Sequence, residues 1–220
     1  MIKKIALTTL LLSTLASAEM SQKGFFVGLD GSTLSSNIAY AKKGSAITTS
    51  NYASDESITP ISLRLGYQYY FTRIYGRVSS EHEYKDNTKE PGRFKIKNQV
   101  FELNADYLPT FYKADSKSWF IRGVFGVGIG ANKSALTYYD SKLDSIGNNL
   151  TPILSKETQW NMEYGYQLGA LMEFDFGLST ELGYRFRSGL MAEFSDADEA
   201  NQATFKLRTE EIYIGINYLF

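Results

Sequence analysis

Apolar residues recur at every second position through one stretch of this chain after another, and that period constrains the backbone more than any other feature. From Pro60 to Phe71, Ile61, Leu63, Leu65, Tyr67, Tyr69 and Phe71 share one face, while Ser62, Arg64, Gly66 and Gln68 share the other. Between Trp160 and Phe174, Met162, Tyr164, Tyr166, Leu168, Ala170 and Met172 alternate with Asn161, Glu163, Gly165, Gln167, Gly169 and Glu173. Leu178 to Leu190 repeats the pattern, with Leu182, Tyr184 and Phe186 set against Glu181, Gly183, Arg185 and Arg187. A helix would scatter these residues around its circumference, whereas a strand sorts them onto two chemically opposite faces.

Five further strands follow the same logic over Lys23 to Leu34, Ile74 to His82, Asn98 to Pro109, Ser118 to Ala131 and Phe205 to Phe220. The total is eight, and each supplies the ~9 to 11 residues of a tilted bilayer crossing. Links alternate in length. Ser35 to Thr59, Glu83 to Lys97, Asn132 to Glu157 and Ala192 to Thr204 are long and polar; Thr72-Arg73, Thr110 to Lys117 and Asp175 to Gly177 are short. The fold expected is all-β: a closed, eight-stranded, antiparallel up-and-down transmembrane β-barrel, with short periplasmic turns and long external loops. Composition agrees, since Gly 18, Tyr 16 and Phe 14 against Pro 4 suit a strand-rich chain with close backbone approaches.

Met1 to Ala18 has a different character. Lys3 and Lys4 precede an apolar run from Ile5 to Leu15 and then Ala16-Ser17-Ala18, the order of a secretory signal with cleavage before Glu19. Residues 1–18 are therefore expected to be a signal peptide and 19–220 the barrel domain. No later stretch has the ~18 to 20 unbroken apolar residues of a membrane-spanning helix. The chain contains no Cys, which excludes disulfide scaffolds and thiol catalysis, and its formal charge of −1 lacks the basic excess of a nucleic-acid binder.

Aromatic residues bunch toward the short-turn end: Phe25, Tyr69, Phe71, Tyr107, Phe111, Trp119, Phe174, Phe176, Tyr218 and Phe220, with Trp160, Tyr84 and Phe205 toward the other. Two girdles of rings at headgroup depth are the expectation. Alternation alone does not say which face is inside, and a soluble barrel of lipocalin type would turn the apolar face inward. The ending Tyr213-Ile214-Gly215-Ile216-Asn217-Tyr218-Leu219-Phe220 resembles the C-terminal signature of bacterial outer-membrane β-barrel proteins. Taken with the leader and strand count, the chain resembles small eight-stranded barrels of the OmpA/OmpX type without a periplasmic domain. That resemblance implies residence in the bacterial outer membrane after export through the periplasm. It also implies reading of the last strand by the barrel-assembly machinery, with Tyr218 and Phe220 as the assembly signal.

An eight-stranded barrel is filled by its own side chains. The polar parity carries Arg64, Arg77, Arg122, Arg185, Arg187, Glu81, Glu102, Asp106, Glu163, Glu173, Glu181 and Glu211, expected to form structural lumen ion pairs. Strand adjacency suggests Arg77 with Glu102, Arg122 with Asp106, Arg187 with Glu163 and Arg185 with Glu211. On that pairing, loss of Arg185 alone should harm the barrel more than loss of Arg185 and Glu211 together.

Chemistry beyond this is sparse. The sole His, His82, shares strand parity with Ser80, which would turn a Ser/His pair toward lipid, but no carboxylate of matching depth orients the imidazole as a triad requires. Asp196, Asp198 and Glu199 form an acidic loop segment that lacks the Gly and terminal Glu of a Ca²⁺ loop. No cofactor, metal or nucleic acid is expected. The reading is a monomeric outer-membrane barrel, not an enzyme, with a structural or surface-interaction role carried by its external loops and an external ligand there as a possible partner. The alternatives are a narrow channel for ions or small solutes and, further off, a lipid A-modifying enzyme.

Overall fold

The computed structural model describes residues 23–42, 50–53, 59–85, 94–115, 118–139, 152–155, 158–195 and 202–220. The expected leader, the acidic segment 196–199 and the hairpin tips lie outside them. Twelve strands occur in chain order: β1 Gly24–Lys42, β2 Ser50–Ala53, β3 Ile61–Tyr69, β4 Thr72–Ser79, β5 His82–Lys85, β6 Phe94–Tyr107, β7 Thr110–Lys113, β8 Trp119–Tyr139, β9 Pro152–Ser155, β10 Gln159–Phe174, β11 Leu178–Ser195 and β12 Gln202–Leu219. Eight of them close a ring in the order β1-β3-β4-β6-β8-β10-β11-β12, with every pairing antiparallel and β12 returning to β1. The closing seam runs from Phe26 opposite Leu219 to Lys42 opposite Ala203. No sheet edge is left within the ring, and for a backbone in hydrocarbon this is a requirement, because lipid offers no hydrogen bonds to an open edge.

The faces decide between the two kinds of barrel. Leu65 and Ile212 are 56% and 62% exposed, whereas their sequence neighbours Arg64 and Glu211 are fully buried. The apolar parity points outward on every strand of the ring, so the lipocalin arrangement is reversed here. Rings group at the short-turn end: Phe71 meets Tyr107 at 5.9 Å, Phe174 meets Phe176 at 5.4 Å, Tyr112 meets Trp119 at 5.1 Å and Tyr218 meets Phe220 at 5.0 Å.

Several boundaries differ from the sequence expectation. The long links are not all loop: β1, β8 and β11 run on to Lys42, Tyr139 and Ser195, and β2 and β9 pair with the extensions. β8 alone has 21 residues, about twice a crossing. Alternation reports a difference between two faces, whereas the ladder needs only backbone groups, so pairing continues where the sequence pattern fades. The first short turn is Tyr70-Phe71 rather than Thr72-Arg73, because Tyr69 pairs with Thr72 and Tyr70 takes the left-handed conformation at φ 49°. Asp175 to Gly177 turns as expected, with Gly177 at φ 92°.

A bulge interrupts the strand made by β4 and β5. Val78 is opposite Phe101 but His82 is opposite Asn98, so four steps on one side face three on the other. Ser80 and Glu81 are consecutive exposed residues, and His82 turns inward.

Glycines test how tightly the wall is packed. A methyl group at Gly66 would collide with the Ile74 carbonyl oxygen and with Tyr75, whereas one at Gly31 would meet nothing within 4 Å. Gly66→Ala is expected to cost about 1–3 kcal/mol in urea unfolding followed by tryptophan fluorescence, and Gly31→Ala is expected to leave the midpoint in place. Equal midpoints would show that the wall relaxes around the added carbon.

Candidate functional site

The barrel wall brings its inward parity to one narrow interior, and charge dominates that interior. Among the described residues it holds the buried guanidiniums of Arg64, Arg73, Arg77, Arg122, Arg185 and Arg187. Against them stand the buried carboxylates of Asp30, Glu102, Asp106, Glu163, Glu173, Glu181 and Glu211. They interlock rather than pair. Glu211 receives Arg187 at 2.6 Å, Arg185 at 3.0 Å and Arg77 at 3.5 Å. Glu102 bridges Arg187 at 2.5 Å and Arg77 at 2.8 Å. Asp30 accepts from Arg64 at 2.6 Å and faces Arg185 at 3.7 Å. Glu181 accepts from Arg73 at 2.9 Å, from Arg64 at 3.0 Å and from the Tyr213 hydroxyl at 2.7 Å.

Two tyrosines pack into this mesh. The Arg185 guanidinium stands 4.2 Å from the Tyr213 ring centroid, and Arg73 stands 4.9 Å from that of Tyr75. These cation–π contacts strengthen as water is removed. The Gln167 amide donates to Asp106 at 2.5 Å and to the Tyr75 hydroxyl at 2.6 Å, and its oxygen accepts from Arg185 at 3.1 Å.

Toward the short-turn end the inward parity becomes apolar. Leu108, Val124 and Leu171 are fully buried against one another. Beyond them Arg122 meets Glu173 at 3.0 Å and donates to the Tyr70 carbonyl at 2.7 Å, and Gln68 donates to Glu173 at 3.3 Å. This last group ties the strained Tyr70 turn to the wall across the lumen. Toward the long-hairpin end the interior is mixed and mostly neutral, with Ser32, Ser62, Asn98, Ser134 and Thr209 buried along with Leu34, Ile96 and Val100.

The structure brings Arg77 to Glu102 and Arg185 to Glu211, as the strand order suggested, and rearranges the rest. Arg122 reaches Glu173 instead of Asp106, because β4 begins at Thr72 and sets Arg73 directly opposite Asp106, at 2.5 Å. Arg187 passes over Gly165, where a methyl would meet its Cγ at 3.1 Å, and engages Glu102 and Glu211 rather than Glu163. Glu163 accepts instead from the Asn132 amide at 3.3 Å. Glu81 is not a lumen residue: the bulge turns it outward, where it pairs with Lys97 at 3.1 Å with both side chains half exposed. The same bulge corrects the parity of Ser80 and His82. Ser80 faces out and its hydroxyl accepts from the Ile61 amide at 3.1 Å, while His82 is buried inside with Nδ1 3.2 Å from the Ser80 carbonyl. Asp30 and Arg73 escaped the sequence reading, the first on a weakly patterned strand and the second misplaced in a turn. A strict count of alternation back from Arg77 would have found Arg73.

No family model and no curated protein matches this chain. Solved structures do. Neisserial surface protein A is 13% identical, covering 91% of this chain and 100% of its own, with a TM-score of 0.49. Ail, the attachment invasion locus protein of Yersinia pestis, is 12% identical, covering 90% of this chain and all of its own, with a TM-score of 0.39. The outer-membrane protease OmpT from Escherichia coli is 8% identical, covering 93% of this chain and all of its own, with a TM-score of 0.38.

The mesh alters what double substitution should do. Deleting Arg185 with Glu211 still leaves Arg187 and Arg77 short of a carboxylate, so that pair does not make a clean cycle. Arg122 and Glu173 form the more isolated unit. Arg122→Met is expected to cost ~3–5 kcal/mol by stranding a buried carboxylate, and Arg122→Met with Glu173→Leu is expected to cost less than Arg122→Met alone. Urea unfolding of the three variants measures this; additive losses would mean that water reaches the stranded charge.

Proposed function

We propose that the chain is an integral protein of the bacterial outer membrane, a plugged eight-stranded barrel that serves as a rigid stem for its long external hairpins, with a structural or surface-interaction role. One observation carries the reading: the wall is apolar outside and its charges are sealed inside. A belt of exposed Leu, Ile, Val and aromatic residues around a whole molecule is untenable in water and suited to hydrocarbon.

On this reading residues 1–18 direct export and are removed. Tyr218 and Phe220 serve as the signal read by the assembly machinery. Phe220 is 74% exposed, and its amide donates to the Phe25 carbonyl at 2.8 Å at the seam where the ring shuts. The barrel works as a monomer, since closure leaves the ring no edge to pair with another copy.

The filled interior argues against the channel. Interlocked side chains occupy the middle of the lumen, and the Leu108, Val124 and Leu171 cluster lies below them. Catalysis is disfavoured because Ser80 and His82 lie on opposite sides of the wall. His82→Ala is accordingly expected to leave the lipid A profile of producing cells unchanged.

Two measurements test the reading. Single cysteines introduced into this Cys-free chain at Leu65, Tyr166 and Leu182 should react with lipid-dissolved probes. Cysteines at Ser62 and Asn104 should not, and the reverse pattern would overturn the membrane assignment. In planar bilayers the barrel is expected to give no steady conductance, and discrete long-lived openings would favour the narrow channel.

A further inference from the structure

Just beyond the apolar belt, on the long-hairpin side, three strands present an ordered group on the outer wall. β8 pairs Lys133 with Gln99 of β6 on one side and with Trp160 of β10 on the other. One step nearer the belt, β8 carries only Ala131, opposite Phe101. The small residue leaves room for the Phe101 and Trp160 rings to meet above the strand at 5.4 Å. Trp160 is 60% exposed, so the ring pair forms a shelf at the upper rim of the belt.

Lys133 rises beside this shelf, exposed, and makes no ion pair among the described residues. Lys97 is its diagonal neighbour on β6, since Lys97 faces Ala135 in the register; side chains so placed are ~7–8 Å apart at their backbones and within reach of one another. Glu81 meets Lys97 at 3.1 Å, but both are half exposed, and an exposed pair of this kind gains little and yields to a stronger anion. Gln99 is held away, donating to the Ser79 carbonyl at 3.2 Å. An anion above the shelf would find two ammonium groups, that of Lys97 flanked by Glu81 and by Glu83 opposite it in the register, with apolar rings beside them.

We propose that Lys97, Lys133 and the Phe101–Trp160 shelf bind the phosphate headgroup of a membrane lipid, with its acyl chain against the rings. The inference rests on the membrane reading above. A free anion would satisfy the lysines alone; the rings under them favour a molecule that is charged at the rim and apolar below it. Basic side chains at this depth attract anionic lipid, roughly five-fold for each charge. Lys97 shares its charge with Glu81, so the expected enrichment is about five-fold rather than its square.

The two tryptophans lie at opposite ends of the barrel, Trp119 near the short turns and Trp160 on the shelf, which makes each a local reporter when the other is replaced. The full-length barrel carrying Trp119→Phe is reconstituted in phosphatidylcholine vesicles holding a trace of dansyl-labelled phosphatidate or dansyl-labelled phosphatidylcholine, and energy transfer from Trp160 is compared. Transfer to phosphatidate is expected to exceed that to phosphatidylcholine by an amount matching about five-fold enrichment. It is expected to fall to parity in the Lys97→Gln, Lys133→Gln variant and, without any substitution in the site, to fall as salt is raised. Millimolar inorganic phosphate should not abolish it.

Equal transfer to both lipids, or enrichment that persists in the double variant, overturns the proposal. Enrichment erased by inorganic phosphate assigns the lysines to a free anion and overturns the lipid commitment. Equal enrichment around Trp119 in a Trp160→Phe barrel reduces the effect to a general surface charge and also counts against the shelf. A chain that never forms a heat-modifiable, vesicle-inserted barrel refutes the membrane reading and the lipid site with it, whereas an inserted barrel without lipid preference refutes the lipid site alone.

Discussion

Eight strands enclose a space too narrow to stay wet and too wide to stay empty, and everything else in the molecule answers to that constraint. Once the apolar parity is committed outward, the alternate residues have nowhere to go but in. Arg64, Arg73, Arg77 and Arg185 are almost wholly buried, and each lone charge of this kind would carry a penalty of several kcal/mol. The solution is a mesh in which carboxylates are shared. Glu211 and Glu181 each draw on more than one guanidinium, so that no single strand supplies both halves of the neutralisation. The contacts that fill the lumen therefore also hold the circumference together.

This gives the barrel two mechanically different parts. Within the membrane depth the wall is fixed from both sides, by the closed ladder and by the cross-lumen ion pairs. Beyond it the same strands continue as paired hairpin extensions, β1 with β2, β8 with β9, and β11 with β12. The Arg122 contact to the Tyr70 carbonyl shows how closely the short-turn end is bound to the interior. A positive-φ turn without glycine costs of order 1 kcal/mol, and here the opposite wall holds it in place.

Much of this was legible in the chain itself. The eight crossings, the outward face, the inner ring of aromatics and the identity of most lumen charges follow from period two and link parity, because burial of one face leaves its imprint on every second residue. Pair identities were not legible. Guanidinium side chains reach into the lumen, so Arg187 engages Glu102 across the barrel and Glu211 diagonally on the adjoining strand rather than Glu163 on its other neighbour, and strand adjacency is a poor guide to such reach. The bulge at Ser80 and Glu81 was invisible for a different reason: a one-residue slip changes no composition, yet it exchanges the sides of Glu81 and His82. The apolar patch of Leu108, Val124 and Leu171 was missed because the inward parity was read as polar throughout.

The interlocked lumen also determines where this protein can change. A substitution inside must be answered by others on distant strands, since most carboxylates there serve two or three partners and each close glycine, such as Gly66 beneath Tyr75, leaves no room for a side chain. On the outer wall any apolar residue of similar size serves the lipid equally well. A molecule built this way separates an interior that must be exact from an outer wall that can vary.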